Sequence, residues 1–349
     1  MRILTDDLSV AGLLRFQYRH FLAPGALRAQ RRIVLRLHAP RPSITIATRR
    51  FPLPRSAPAS HGLSLLTEAL IDALRGYLIF HAGVVSSEGR ALLICGPPGF
   101  GKTSLVMELA RRGCGFLSDD YAPIGVRDGA VHPFPRSVAI VSDSPWARDL
   151  LRVSKVREWG KHLLDPAAVP GMRVGGPSPP AAVLLLGPRS GTAQTYDLVL
   201  DEACRPSLLR RLSGARVRPL RPSTPGRAHL RVTLPEGRLL AARLQDWFSQ
   251  HRARVYSMER VRSRAGAFRR RLAMHPVPAG DALVEMLSDL HNRRPQSSAL
   301  GRGKMSPGLL LVTAARLLGH ARFVRLSGGT PPERAEAALD ILHHGGARA

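Results

Sequence analysis

The run Gly96-Pro97-Pro98-Gly99-Phe100-Gly101-Lys102-Thr103 constrains this chain more than any other feature. It fits the spacing G-x-x-x-x-G-K-[S/T] in full. Glycines let a backbone curl around a phosphate with its N–H groups turned inward. A helix that starts directly afterwards aims the positive end of its dipole at the same place. The flanks carry the pattern this needs. RALLIC, before the run, is a short apolar stretch that reads as a buried strand. TSLVMELARRG, after it, has amphipathic helical spacing and stops at Gly113. Nucleotide binding is therefore expected at Gly96, Pro97, Pro98, Gly99, Phe100, Gly101, Lys102, Thr103 and Ser104. Lys102 would bridge the β and γ phosphates as a point charge. The Thr103 hydroxyl would bind the Mg²⁺ that shields them. A glycine-rich turn that binds nothing would leave the lysine without a role.

Strand, loop, helix and strand follow one another here, which points to an α/β core. GFLSDDY reads as the next strand, ending in Asp119 and Asp120. With RALLIC and GFLS as neighbouring strands, both acids sit at the carboxyl edge, where open α/β sheets bind ligands. One carboxylate there can hold a metal, and the other can accept a proton from an attacking hydroxyl. Adjacent side chains on a strand point to opposite faces, so the two roles differ. YLIFHAGVVSSEGRALLICG reads as two strands joined by a tight turn at Ser87–Gly89. His81 lies on the first of them, and a lone histidine among apolar residues is more often core than site.

The rest divides into three stretches. Residues 1–62 read as a small α+β region, in which RRIVLRL and SITIATRRF alternate as strands. Residues 63–255 hold the phosphate loop. They open on a helix at Leu63–Leu74 and include AAVLLLGP and TYDLVLD as further strands. A helix is expected over Gly237–His251. Residues 256–349 read as mostly helical, through GDALVEMLSDLH, GLLLVTAARLLG and PPERAEAALDILHH. Two fragments imitate an ABC-type ATPase: DLVLDE (Asp197–Glu202) and LSGGT (Leu326–Thr330). Their order along the chain is reversed relative to that class. DLVLDE is therefore expected as an ordinary edge strand and LSGGT as a turn.

Composition excludes more than it assigns. The formal net charge is +27, yet only four of the 52 basic residues are lysines: Lys102, Lys155, Lys161 and Lys304. The arginines spread along the whole chain, whereas a nucleic-acid binder concentrates its charge on one face or arm. Nucleic acid is not expected as a partner. Three cysteines, Cys95, Cys114 and Cys204, form no disulfide framework and suit a reducing cytoplasm. The opening MRILTDDLSV is acidic where a secretory signal is basic, and no membrane span is expected.

The block HAGVVSSEGRALLICGPPGFGKTSLVMELARRGCGFLSDD, His81 to Asp120, resembles the HPr kinase/phosphorylase superfamily. It is most similar to the HPr-kinase-related proteins called HprK-related kinase A. The shared elements are a His-Ala/Gly start, a glycine turn, the phosphate loop, a helix ending in Arg-Gly, and a Leu-Ser-Asp-Asp strand. HPFPRSVAI (His132–Ile140) is similar to the family's proline-and-arginine stretch, and WGKHLLDP (Trp159–Pro166) more weakly to its next basic segment. A looser likeness runs from Leu63 to Gln250.

The resemblance implies a P-loop kinase core of the HPr kinase/phosphoenolpyruvate carboxykinase type. It implies an ATP- and Mg²⁺-dependent kinase that phosphorylates a serine-type hydroxyl on a peptide or small protein. That acceptor could be a ribosomally made, modified peptide, as for some lasso-peptide kinases. His81 takes the place of the family's active-site histidine. Asp119 takes that of the general base, and Asp120 lies near the metal. Arg136 is a candidate phosphate or substrate contact, and Lys161 a weaker one. The long Arg- and Gly-rich signature that follows the acid pair in the true enzymes is absent, VPGMRVGGPSPP (Val169–Pro180) being its nearest counterpart. Phosphorolysis and HPr itself are therefore not expected. A regulatory nucleotide-binding module without transfer, a small-molecule kinase on the same site, and homo-oligomer formation stay open.

Overall fold

A computed structural model of the chain describes residues 1–23, 32–53, 55, 58–96, 100–141, 150, 156–158, 161–187, 194–220, 226–234, 244, 247, 255–261, 271–288, 290 and 307–344. The fold is mixed α/β. Its centre is a seven-stranded sheet made of β1 (Gly83–Ser87), β2 (Arg90–Cys95), β3 (Gly115–Ser118), β4 (Arg173–Val174), β5 (Pro180–Leu186), β6 (Ala273–Pro276) and β7 (Arg322–Ser327). The spatial order is β4-β3-β1-β2-β5-β7-β6. β2, β3, β4, β5 and β7 run in one direction, and β1 and β6 run against them.

Helices cover both faces, which is why the inner strands are continuous apolar runs. Along β2, Leu92 and Ile94 join one core, while Ala91, Leu93 and Cys95 join the other. This is the period-two alternation of a strand with two dry faces. The helices α1 (Lys102–Arg111) and α4 (Pro331–His344) pack together on the first face through Leu105, Leu109, Ala335 and Ala338. On the second face lie α2 (Ala279–Ser288) and α3 (Pro307–Leu318), through Met286, Leu310, Ala314 and Leu318.

Smaller sheets flank this centre. Strands Arg2–Thr5, Arg32–Arg36, Ser43–Ile46 and Arg49–Pro52 form an N-terminal sheet, closed over a core by the helix Pro58–Asp72. SITIATRRF thus supplies two strands instead of one. It turns at Ala47, whose φ of +55° reverses the chain. Strands Arg216–Pro219, Arg227–Leu234, Gln194–Asp201 and Val255–Val261 form an antiparallel sheet in that order.

Several expectations change. YLIFHAGVVSSEGRALLIC contains three strands, because the chain breaks at His81–Ala82. The first, Tyr77–Phe80, leaves to pair with Ala122–Gly125. The turn at Ser87–Gly89 is present, with positive φ at Glu88 and Gly89. RALLIC and GFLS are not neighbours: β1 inserts between them and pairs with both. The strand Gln194–Asp201 that holds most of DLVLDE is an inner strand, because Arg227–Leu234 pairs on one side of it and Val255–Val261 on the other; Asp197 accepts from Arg231 across the first ladder. LSGGT ends β7 with Leu326 and Ser327 and turns at Gly328 and Gly329, both at positive φ. Among the described residues after 255 are β6 and β7 of the central sheet as well as three helices, because RFVRLS buries Phe323, Val324 and Leu326 beside β5. The helix expected over Gly237–His251 lies outside the described residues except for Leu244 and Trp247, which are buried.

Candidate functional site

After β2 the chain crosses through α1 to β3 on one side of it, while β5 pairs on its other side. The strand order reverses between β2 and β5, the kind of point at whose carboxyl ends open α/β sheets bind ligands. Gly96 leaves β2 at that point. Its φ of +149° suits only glycine, and a Cβ would stand 3.0 Å from Leu186 Cβ and 3.2 Å from the Leu186 carbonyl oxygen. The first glycine of the motif thus lets the loop brush the end of β5. Pro97, Pro98 and Gly99 lie outside the described residues. Phe100 is buried in the core. Gly101, with φ +97°, is the N-cap of α1, and its carbonyl accepts the first helical bond from Leu105 N–H at 2.9 Å.

Lys102 is buried and reaches back across the loop, donating from Nζ to the Gly96 carbonyl at 2.5 Å. Thr103 and Ser104 follow on the first helical turn and are half-buried. The ammonium, the hydroxyls and the helix start therefore share one mouth. That combination recognises phosphate oxygens.

Because β2 and β3 are parallel, the end of β3 lies at the same edge, two strand positions away, or roughly 10 Å. There the Ser118 hydroxyl accepts from Asp120 N–H at 3.3 Å and Tyr121 N–H at 3.0 Å. This short turn ends the strand and carries Asp119 and Asp120 out of the sheet. β1 runs the other way, so the residues leading into it arrive at the same edge. His81 Nδ1 lies 3.1 Å from Asp120 Oδ1. The inserted strand that separates the acids from the phosphate loop is what brings the histidine to them. Two residues later, a Cβ on Gly83 would stand 2.5 Å from Val106 Cγ2. Glycine there lets α1 sit tightly on β1.

Arg136 stands apart from the phosphate loop motif. Its guanidinium lies 5.9 Å from the ring centroids of both Tyr18 and Tyr121. Tyr121 also meets the His81 ring edge-on at 6.4 Å. Arg136 is thus stacked beside the His81–Asp120 pair by cation–π contact. Lys161 opens the strand Lys161–Leu164, outside the central sheet. Asp201 and Glu202 of DLVLDE also belong elsewhere, where the Asp201 carboxylate accepts from Ala203 N–H.

Two contributors were not picked out from the sequence. One is Ser118, whose role as a turn acceptor was hidden inside the strand pattern. The other is Arg334 on α4. It is fully buried and donates to the carbonyls of Gly328 at 2.6 Å, Phe100 at 2.9 Å and Gly187 at 3.1 Å. Nothing local distinguishes it within a chain so rich in arginine.

Among the described residues, no group of three or more His, Cys, Asp or Glu side chains gathers as a metal site. The Thr103 hydroxyl and the Asp119 and Asp120 carboxylates are hard oxygen donors near the carboxyl edge of the central sheet. Mg²⁺ suits one or two such protein ligands completed by phosphate oxygens. No helix among the described residues is long and apolar enough to cross a membrane. Neither protein-family models nor curated proteins match the chain.

Proposed function

We propose that the chain is an ATP-dependent kinase with a P-loop core of the HPr kinase/phosphoenolpyruvate carboxykinase type. Its acceptor is a serine-type hydroxyl on a peptide or small protein. The observation that carries this reading is the convergence on one sheet edge of three groups. These are Gly96 and the start of α1 with its buried Lys102, the acid pair after β3, and the His81–Asp120 contact. The resemblance of His81–Asp120 to the HPr-kinase-related proteins supports it from a separate direction.

In this mechanism, main-chain N–H groups at the start of α1 and the Lys102 ammonium bind the phosphate oxygens and spread the charge of the transferring group. Thr103 and Asp120 would hold Mg²⁺, which would neutralise negative charge on the phosphates. His81 braces Asp120 through its 3.1 Å contact. Asp119 accepts the hydroxyl proton as the acceptor oxygen bonds to the γ-phosphorus. The bond from that phosphorus to the β,γ-bridging oxygen breaks, and ADP leaves with the electron pair. Catalysis is then chiefly positioning and electrostatics. The acceptor could be a ribosomally made peptide.

Labelled ATP supplied with a panel of serine-containing peptides and small proteins tests the reading. Label on a serine of a peptide or protein supports it. Label confined to a metabolite moves the assignment to a small-molecule kinase. Tight ATP binding without transfer to any acceptor moves it to a regulatory module.

A further inference from the structure

Arg334 is the largest fully buried side chain among the described residues, and it is not part of the phosphate loop motif. Its guanidinium is rigid and planar, so its donors cannot move independently. They reach three carbonyls that follow three adjacent parallel strands: Phe100 after β2, Gly187 after β5 and Gly328 after β7. Phe100 is in the phosphate loop itself. Arg334 is also anchored from its own side. It lies in the first turn of α4, where Arg334 N–H donates to Thr330 O at 3.0 Å. Thr330 and Glu333 close a capping box, with Thr330 N–H to Glu333 Oε2 at 2.6 Å and Glu333 N–H to Thr330 Oγ1 at 3.4 Å. Pro331 and Pro332 stiffen the same turn.

From this we infer that Arg334 is a positioning residue for the phosphate loop, and that it couples nucleotide binding to the first turn of α4. The inference rests on the nucleotide site proposed above. The Phe100 carbonyl cannot shift without pulling the guanidinium against Gly187 and Gly328. A loop held in place by phosphate must therefore hold the start of α4, and an intact α4 start must hold the loop ready for phosphate. Such coupling is reciprocal by linkage. It gives the C-terminal segment a task at the site: α4 supplies the brace for the loop after β2.

The test uses the full chain, with MgATP as the probe. Calorimetric titration gives its affinity for wild type, Arg334→Lys and Arg334→Met, and hydrogen exchange is followed with and without MgATP. The expected result is that MgATP slows exchange in the wild type at residues 328–338 as well as around 100–105. Arg334→Lys, which keeps the charge but loses the three-way geometry, should weaken binding by about tenfold and abolish the protection at 328–338. Arg334→Met should weaken binding at least as much. A purely structural arginine would lower thermal stability in the variants without changing MgATP affinity of the folded protein. Wild-type binding with no protection at 328–338 overturns the inference and leaves the nucleotide site standing. This wild-type measurement decides the matter even if both variants fail to fold. A wild type that binds no MgATP overturns the nucleotide reading itself, and the inference with it.

Discussion

His81 Nδ1 and Asp120 Oδ1 lie 3.1 Å apart, joining the segment that enters β1 to the turn that leaves β3. The contact commits Asp120 to the histidine side. Under the proposed mechanism, Asp119→Asn lowers phosphoryl transfer by about 10²–10⁴-fold while ATP affinity holds. His81→Ala acts only through Asp120 and lowers transfer by about tenfold. Transfer assays beside calorimetric ATP titrations check both. Full transfer by Asp119→Asn would remove it as the proton acceptor.

Ser118→Ala removes one acceptor that serves two amides, those of Asp120 and Tyr121. Ser118 is buried, so the N–H groups left behind cannot all turn to water. The expected cost is about 1–3 kcal/mol in stability. Transfer should fall more than ATP binding does, because the acids lose their aim while the phosphate loop is untouched. Denaturant unfolding and a comparison of kcat with the KM for ATP separate the two effects.

Gly96→Ala places a Cβ at a φ of +149° and 3.0 Å from Leu186 Cβ. Neither the strain nor the contact can relax without moving β2 away from β5. The variant should lose about 1–3 kcal/mol of stability and most of its ATP affinity. Thermal unfolding and nucleotide titration measure this. An alanine variant that binds ATP as the wild type does would show that the point between β2 and β5 is not the phosphate site.

Asp72, at the end of the helix Pro58–Asp72, has its pKa raised to about 7 by burial and by the nearby Glu68 carboxylate. Its unfolded value is near 3.9. Between these values the folded state holds the extra proton. Stability is therefore highest below about pH 4, falls as pH rises toward 7, and is flat above that with respect to this group. Asp72→Asn should flatten that slope and raise the melting temperature by a few degrees at pH 8, with little change at pH 4. Melting curves across the range check the sign.

Local chemistry carried much of the site. A glycine at φ +149°, a glycine capping α1, and a lysine one residue later are consequences of spacing within one loop, and spacing is visible in a string of letters. The same holds for the hairpin turn at Glu88–Gly89 and for the helices Pro58–Asp72, Lys102–Arg111 and Pro331–His344. The mixed α/β character follows from the same local periodicities.

Strand neighbours were not legible. RALLIC and GFLS each read as strands, but nothing in either says that β1 lies between them, since pairing is chosen by long-range burial and register. DLVLDE falls on an inner strand for the same reason, since Val255–Val261, far along the chain, pairs on its free side.

The sequence by itself determined the elements around Gly96–Thr103, the strand before it and the helix after it, because those depend on residues a few positions apart. Only the tertiary structure decided that β1 carries His81 to Asp120, and that β7 and α4 carry Arg334 to Phe100 from 234 positions away. Contacts of that separation arise from how sheets and helices bury their apolar faces. Among the described arginines Arg334 is the buried one, and it has no mark in the sequence until that burial singles it out.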